Sequence, residues 1–400
     1  MNKISLSSLW KNAFFLLTSL SLLLFTACDN GNDSGNNCDV SIKATVSEVD
    51  MWGNLVLDIS KDSIEKAGFT PGDMLTISGV SNAVALNMPF TNSWQSVGSW
   101  GMCLVHFQDE PTLTLALANA SFADRIGGKG GDRITITVKE KGGYIEQEEK
   151  MDLWTSESRA DYDSDEAFAN FYSVECHGMK PGILFRSSNP LIASDNPSRY
   201  EYADRLARSM GIKSMFSISQ DEEKWIAAIA SGSEIGSYSR ELYDEGKVSF
   251  NKMNVDIFVP EQAVKVGKLL REIMSSEPPY LFFCTHGRDR TGLIAILLQV
   301  LVGATYEELE AGYMRSFMNW HRLSPSSVAY EEVHNIIFDR TLYILSKGGD
   351  VDIAEMCAMA SYPIEEIMQR LPTAVELYLT ERAGLTPSEV RSLKNLFSVE

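Results

Sequence analysis

The sequence has few basic residues for its length and an excess of acidic ones. Its 35 lysines and arginines stand against 54 aspartates and glutamates, which gives a formal net charge of −19 at pH 7. An acidic surface repels nucleic acid, so no nucleic-acid partner is predicted. The same charge repels anionic substrates, and a site that handles phosphate would therefore need basic residues of its own.

The sequence also lacks a recognisable metal-binding or disulfide pattern. Its six cysteines are widely and irregularly spaced, and no C-x-x-C pair occurs among them. Four of its five histidines show no metal-ligand spacing: His106, His177, His321 and His334. The sequence therefore predicts no metal, no cofactor and at least one free thiol.

Long apolar runs of the kind found in multi-span membrane proteins are missing. The run at 13–25 is too short to cross a bilayer comfortably, and it follows two lysines and ends in the segment FTAC. This ending resembles the lipobox of bacterial lipoproteins, in which small residues precede a cysteine that becomes lipidated, although Phe25 replaces the usual aliphatic residue. The alternative is an ordinary cleaved signal peptide in which Cys28 has no special role.

The N-terminal pattern favours an exported protein that a lipid on Cys28 anchors to a bacterial membrane, in the periplasm or at the cell surface. It divides into a lipoprotein-type signal peptide at 1–28 and a polar tether at 29–38, rich in Asn, Asp and Gly. A polar, glycine-containing tether suits a domain held at a membrane surface.

Short alternating apolar runs with intervening Gly and Asn predict a small β domain at 39–139. Its segment 64–78 (IEKAGFTPGDMLTIS) aligns without gaps with 123–137 (ADRIGGKGGDRITIT), and this internal repeat predicts a duplicated half-barrel. With Trp52, Gly53 and Asn54, the arrangement resembles the C-terminal β domain of S-adenosylmethionine hydrolases. Only the fold is expected to carry over, because the domain that completes the active site in that family has no counterpart here.

A charged, glycine-containing linker is predicted at 140–160, and an α/β domain at 161–400. Apolar strands alternate with helical patterns up to residue 302, which predicts a central, mostly parallel sheet, and the chain beyond 326 is helical in pattern. The predicted fold class is therefore α/β with a helical C-terminus, preceded by a small β-barrel-like domain.

The strongest chemical signal is the segment 280–293, YLFFCTHGRDRTGL. A strand leads into Cys284, five residues separate Cys284 from Arg290, and an apolar helix follows. A loop at a helix N-terminus presents backbone N–H groups to an anion, and the same field favours the thiolate of a cysteine at its mouth. A thiolate can form a phosphocysteine, and a guanidinium can bind two phosphate oxygens at once. A buried thiol without a chemical role and a sulfurtransferase loop are the alternatives.

The loop CTHGRDRTG resembles the signature HCxxGKDRTG of the bacterial protein-tyrosine/phosphoinositide phosphatases, which are C-x5-R cysteine phosphatases. The segments 182–188, 211–214, 311–316 and 380–393 extend the resemblance over 160–400. It implies a nucleophile at Cys284, a phosphate-gripping Arg290 and a general acid at Asp289, with Asp221 as the alternative acid. Arg186 is a possible substrate contact or a structural arginine. Phosphate contacts are expected from the remaining loop residues: Thr285, His286, Gly287, Arg288, Thr291 and Gly292.

The resemblance implies a metal-independent hydrolase of phosphate monoesters, in the first place a protein-tyrosine phosphatase, whose partner is a phosphorylated protein or a small phosphoester. Phe283 stands where the family has a histidine that helps to orient the loop and to lower the cysteine pKa. A weakly active or non-catalytic phospholigand-binding module is therefore an alternative, as is an inositol-phosphate or phosphoinositide phosphatase. The phosphatase domain is predicted to fold and to work without residues 1–150; the alternative is that the β domain caps the phosphate loop and forms part of the pocket rim.

Overall fold

The computed structural model describes residues 40–80, 85–107 and 110–399. The predicted signal peptide at 1–28 with Cys28, and the whole of the predicted tether at 29–38, lie outside the described residues. Over the ranges that are described, no helix is both long and apolar enough to cross a membrane.

The N-terminal part is a closed barrel with the strand order β1-β2-β6-β5-β4-β3-β7. Only β4 and β5 pair in parallel among the neighbours described. The strands are β1 (Ser41–Val49), β2 (Leu55–Leu57), β3 (Met74–Ser78), β4 (Leu86–Thr91), β5 (Met102–Val105), β6 (Thr114–Leu117) and β7 (Arg133–Glu140). Three short helices accompany them, α1 (Lys61–Lys66), α2 (Phe122–Arg125) and α3 (Ile145–Lys150). The predicted β-barrel is confirmed.

The alternating sequence of the strands explains the barrel core. In β7, Ile134 and Ile136 are buried inside the barrel, while the alternating Thr135 and Thr137 face outward. The two similar segments found in the sequence each contain a short helix followed by a strand, and those strands, β3 and β7, are antiparallel neighbours. The two copies of the repeat therefore pair with each other in the barrel through β3 and β7.

The C-terminal part is built on a five-stranded sheet with the order β11-β10-β12-β9-β8. Its strands are β8 (Tyr172–Ser173), β9 (Leu184–Ser187), β10 (Ser214–Ser217), β11 (Val248–Phe250) and β12 (Tyr280–Phe283). The four strands β11, β10, β12 and β9 pair in parallel, and β8 is antiparallel to β9. The carboxyl ends of the parallel strands therefore meet at one edge of the sheet, which is where α/β proteins place their ligands.

Helices cover this sheet and continue into a helical C-terminus. They are α4 (Asp165–Phe168), α5 (Tyr200–Ser209), α6 (Glu222–Ser231), α7 (Ser237–Asp244), α8 (Pro260–Met274), α9 (Asp289–Leu301), α10 (Tyr306–His321), α11 (Val328–Glu332), α12 (Arg340–Ser346), α13 (Ile353–Cys357), α14 (Ile364–Leu377) and α15 (Pro387–Phe397). Wider π-helical turns follow α11 and α14, at Val333–Asp339 and Tyr378–Arg382. The mixed α/β class with a helical C-terminus is thus confirmed.

The barrel and the α/β part are joined by a continuous apolar core and by buried polar contacts. Arg125 donates from Nε and Nη2 to the two carboxylate oxygens of Asp256, each at 2.8 Å. The buried Arg340 donates from Nη1 to the carbonyl oxygen of Val97 at 2.8 Å. At Gly98 a side chain would collide with the carbonyl oxygen of Ile336. The two parts are therefore closely packed, and the predicted linker at 140–160 contains α3.

Candidate active site

The loop that follows β12 lies between two deeply buried elements. All four residues of β12 are buried, as befits a central parallel strand covered on both faces, and most of α9 is buried as well. Phe283, at the end of the strand, packs in an apolar cluster with Met215, Trp225 and Leu281. The loop is consequently anchored at both ends, and Phe283 helps to build the core behind it.

Buried side chains hold the carbonyl groups of the loop on its outer side. Arg186 donates from Nη2 to the carbonyl oxygens of Gly287 (2.7 Å) and Arg288 (3.1 Å). Asn196 donates from Nδ2 to the carbonyl oxygen of Thr285 at 2.7 Å. Arg186 was predicted as either a substrate contact or a structural residue. It lies fully buried behind the loop, and the structure therefore gives it the structural role.

Asn170 holds the middle of the loop in the same way. Its Nδ2 donates to the carbonyl oxygen of His286 at 3.0 Å, and its Oδ1 accepts from Nδ2 of Asn319 at 3.1 Å. The side chain is completely buried. Neither Asn170 nor Asn196 belongs to the sequence motif, and neither was predicted to take part in the site.

The backbone amides of the loop face the opposite side, because its carbonyl groups are turned outward. In the described part of the chain, the amide N–H groups of residues 285–290 donate to no protein acceptor. Several N–H groups that converge at a helix N-terminus form an anion-binding cradle, to which the helix dipole contributes. The free amides of the loop are thus available to an anionic ligand.

Gly287 allows the chain to make this turn. Its φ of +69° lies in the left-handed region, and a Cβ at this position would collide with the backbone carbonyl of Ser187 on β9. The loop therefore packs directly against the end of the neighbouring strand.

Cys284 lies at the mouth of the cradle with its thiol almost fully buried. Burial alone would raise the pKa of the thiol, but the Arg290 guanidinium and the Thr291 hydroxyl and amide outweigh it and lower the pKa below its ordinary value, even though Asp289 acts in the opposite direction. The buried Thr291 hydroxyl has no hydrogen-bond partner among the described residues, and it is therefore free to turn toward the thiolate. A reactive thiolate is the state that this environment favours.

Arg290 faces the pocket together with Cys284. Its Nη1 donates to the carbonyl oxygen of Met253 at 3.2 Å, and its guanidinium lies 5.5 Å from the centre of the Trp52 ring. Met253 belongs to the α/β part and Trp52 to the barrel. Arg290 is therefore positioned by both parts of the protein.

Arg288 was predicted to contact phosphate, but its side chain points into a buried network instead. Its guanidinium donates to Oδ2 of Asp289 at 3.1 Å and contacts Nε2 of His321. With its carboxamide oxygen turned toward Arg288, Gln95 of the barrel accepts from both terminal nitrogens at 2.8 and 2.9 Å. These buried partners fix the rotamer of Arg288, which the motif alone does not determine. Only the backbone amide of Arg288 therefore remains available to an anion.

Two more predicted phosphate contacts take other roles. The amide of Gly292 donates to the carbonyl oxygen of Arg288 at 2.7 Å, and a Cβ on Gly292 would lie 2.8 Å from the ring of Tyr313. Gly292 therefore allows close helix packing, while the Thr291 hydroxyl supports the Cys284 thiolate. By contrast, Thr285 and His286 line the pocket.

His286 is held neutral in this position. Its ring stacks on Trp320 at 4.4 Å between centroids, and burial, together with the positive charge of Arg288, lowers its pKa to about 4. At neutral pH the imidazole therefore adds no positive charge to the pocket.

The two candidate acids differ in their surroundings. Asp289 lines the pocket; burial alone would raise the pKa of its carboxyl, but the neighbouring Arg288 guanidinium outweighs burial and lowers it. Asp221 caps α6 by accepting from the amide of Lys224 at 3.0 Å, and its carboxyl pairs with Lys252, which lowers its pKa. Asp221 does not line the pocket, so Asp289 is the carboxyl that the structure brings to Cys284.

The pocket above the loop has a volume of about 260 Å³ and is shared between the two parts of the protein. The α/β part supplies its floor through Cys284 and the loop residues. The barrel supplies a wall that sequence analysis did not identify residue by residue: Trp52, Asn54, Trp94, Phe107, Asn119 and the alanines of 116–120. Of the two arrangements considered for the β domain, the structure supports the one in which it covers the phosphate loop. No cluster of three or more potential metal ligands occurs in the described residues.

Gly287→Ala is expected to weaken the binding of inorganic phosphate and vanadate by about 100-fold, because the loop amides would move by an ångström or more. The matched control is Gly182→Ala, which has a similar φ of +66° but open space around the added methyl group. Isothermal titration calorimetry of both variants checks this. Equal affinities in the two variants would show that the contact with Ser187 does not shape the cradle.

Comparison with known proteins agrees with this geometry. No curated protein matches the chain. A solved structure, that of an uncharacterized conserved protein from Thermotoga maritima, is 18% identical with a TM-score of 0.23, and the match covers 24% of this chain and 36% of that chain. A family model described as the tyrosine phosphatase family matches residues 170–398, which include the whole loop from Cys284 to Arg290. This match extends over more than half of the sequence, and the chain belongs to the tyrosine phosphatase family.

Proposed function

We propose that the protein hydrolyses phosphate monoesters through a phosphocysteine intermediate. The observation that carries the proposal is the loop 285–290, whose amides have no protein acceptor among the described residues and which surrounds a cysteine whose thiolate is favoured. The amides bind the phosphoryl oxygens, and the Cys284 thiolate attacks phosphorus while the bond to the leaving oxygen breaks. Water then attacks the phosphocysteine, the sulfur–phosphorus bond breaks, and the thiolate and inorganic phosphate are released.

Arg290 stabilises the phosphoryl group during both steps. Its planar guanidinium can donate to two phosphoryl oxygens at once, and its charge is placed where negative charge accumulates. The contacts with the Met253 carbonyl and the Trp52 ring hold it beside Cys284 before the substrate arrives. Such preorganisation avoids the cost of ordering the side chain during the reaction.

Asp289 serves as the general acid for the leaving oxygen and then as the base for water. Arg288 lowers its pKa in the empty site, and the arrival of a phosphate dianion beside it acts in the opposite direction. Substrate binding therefore promotes uptake of the proton that Asp289 later donates.

The first substrate to test is phosphotyrosine, on a protein or as a small phosphoester. Inositol phosphates and phosphoinositides are the competing substrates. Phe283, which has no titratable group, supports a second candidate function, that of a weakly active or non-catalytic phospholigand-binding module. The anion cradle itself does not depend on residue 283, and binding without turnover is the outcome that would favour this second function.

We further propose that the protein is exported and anchored to a bacterial membrane through a lipid on Cys28. The support is the sequence of the segment 1–38, with its short apolar run, its FTAC ending and its polar tether. The anchor would hold the pocket near the membrane without restricting its orientation, because a glycine-containing polar segment is flexible.

Cys284→Ser is expected to reduce hydrolysis of an aryl phosphate to background, while the wild-type protein keeps its activity in EDTA. The reason is that a serine hydroxyl is not ionised where the thiol is. The matched control is Cys176→Ser, because Cys176 is a partly exposed free thiol whose pKa is raised by burial. Activity that disappears in EDTA, or that persists in Cys284→Ser, would contradict the mechanism.

Asp289→Asn is expected to lower kcat by about 100-fold for an alkyl phosphate and by much less for 4-nitrophenyl phosphate, because a good leaving group needs less protonation. Asp221→Asn should change neither value, since its carboxyl caps α6. Steady-state kinetics with the two substrates checks both variants. The reverse result, with only Asp221→Asn sensitive to the leaving group, would move the acid role to Asp221.

Cells that express the protein should incorporate labelled palmitate into it, and Cys28→Ala should abolish the labelling. Cys38→Ala is the matched control, because Cys38 lies in the same polar region but outside the lipobox-like ending. Membrane fractionation of the two variants gives an independent readout. Equal labelling of both variants would argue against lipidation at Cys28.

A further inference from the structure

The barrel wall of the pocket is apolar and aromatic. Trp94 and Phe107 face the pocket and are half-buried against a small barrel cluster that includes Val97 and Val105. The alanines at positions 116, 118 and 120 complete this wall with short side chains. Apart from Asn54 and Asn119, this wall offers ring faces and methyl groups to whatever group lies above the phosphate.

The same wall is rigidly connected to the phosphate loop. Trp94 begins the 3-10 turn Trp94–Val97, in which Ser93 accepts a hydrogen bond from the amide of Gln95 at 3.2 Å. Gln95, the next residue, accepts from the guanidinium of Arg288. One short turn therefore sets the distance between an aromatic ring of the wall and the loop that binds the anion.

Trp52 also lines the pocket, and it lies on a second turn that hydrogen bonds hold in place. The carboxylate of Asp50 accepts from the amides of Trp52 and Asn54 at 2.8 and 2.9 Å, and from Nδ2 of Asn54 at 2.9 Å. At Gly53, with a φ of +83°, a side chain would collide with Ser121. This turn therefore holds the indole ring of Trp52 beside the guanidinium of Arg290.

The charge of the pocket limits which groups it can take. Arg290 is the only lysine or arginine side chain among the described residues that line it, and His286 is neutral at pH 7. Asp289 adds a carboxyl to the same lining. A ligand with several phosphate groups would find one basic side chain and one acidic one, which does not favour inositol polyphosphates.

We propose that the barrel provides the leaving-group subsite of the phosphatase, and that this subsite takes a planar aromatic ring, as in an aryl phosphate monoester. The inference rests on the proposed function for its chemistry, and it assigns specificity to the barrel. Trp94 and Phe107 contact the aryl ring while the loop amides bind the phosphoryl group. Contacts between aromatic rings are favourable beyond the apolar area that they bury, so this wall favours an aryl leaving group over an alkyl one.

The test compares two non-hydrolysable probes, phenylphosphonate and methylphosphonate, which share the anionic group and differ in the ring. Dissociation constants are measured by calorimetry on the full chain, so the result does not depend on turnover. The wild-type protein should prefer phenylphosphonate by about 10-fold, from the ring contacts alone. Phe107→Leu and Trp94→Leu, which keep apolar volume but remove the ring, should each lower this preference while leaving methylphosphonate affinity unchanged.

Two controls separate the ring contacts from folding effects. Phe107→Tyr keeps a ring and should keep the preference. Trp154→Ala removes an exposed tryptophan outside the pocket, whose ring lies 5.0 Å from the guanidinium of Arg322, and it should change nothing. Trp52 is unsuitable as a test position because its ring also contacts Arg290.

The inference is overturned if the wild-type protein binds both probes equally, if neither leucine variant lowers the preference, or if both variants weaken both probes to the same extent. Tighter binding of inositol hexakisphosphate than of phenylphosphonate would also overturn it. Failure of the proposed function has a different signature. Phenylphosphonate would then bind with the expected preference, but no phosphate monoester would be hydrolysed.

Discussion

The outward orientation of the loop carbonyls is the constraint on which the site depends. A peptide unit cannot present its N–H and its C=O on the same side, so holding the carbonyls of 285–288 outward turns the amides inward. Arg186, Asn170 and Asn196 do this with buried hydrogen bonds, two of them at 2.7 Å. Because these donors are buried, the loss of any one of these bonds is destabilising. A buried carbonyl or guanidinium without a partner is not compensated for its lost contact with water.

The proposed phosphate site also illustrates how an acidic protein can bind an anion. The net charge of −19 is unfavourable at long range, and among the described residues only one basic side chain lines the pocket. Most of the attraction must then come from backbone dipoles and the N-terminus of α9, which act over a few ångströms and are not neutralised by distant carboxylates. Arg288 contributes indirectly, by fixing Asp289 and by joining the loop to the barrel.

Local spacing in the sequence was sufficient to identify the loop, the strand before it and the helix after it. The strand Tyr280–Phe283 leads into Cys284 as predicted. Cys284 and Arg290 face one pocket because five residues fit one turn over a helix N-terminus. The function of the Arg288 side chain was not predictable in this way. Its partners Gln95 and His321 are far away in the sequence, and no periodic pattern connects them to the motif.

Other features were missed for different reasons. The capping role of Asp221 had a local signal, since an aspartate followed by two glutamates and a lysine is typical of a helix N-terminus. Asn170 and Asn196 had none, because a lone asparagine outside a repeat or motif is compatible with any turn. The barrel strands β4 and β5 lack the regular alternation of β7, and all four residues of β5 are buried, which removes the period-2 pattern.

The contact between Gln95 and Arg288 connects two folding units through the ligand site. Because one apolar core runs through the barrel and the α/β part, an anion that binds only to the folded loop stabilises both of them by the same free energy. Linkage gives about 2.7 kcal/mol at a ligand concentration one hundred times the dissociation constant. An anion in the pocket would therefore also stabilise the barrel, although Gln95 of the barrel and Arg288 of the loop lie far apart in the sequence.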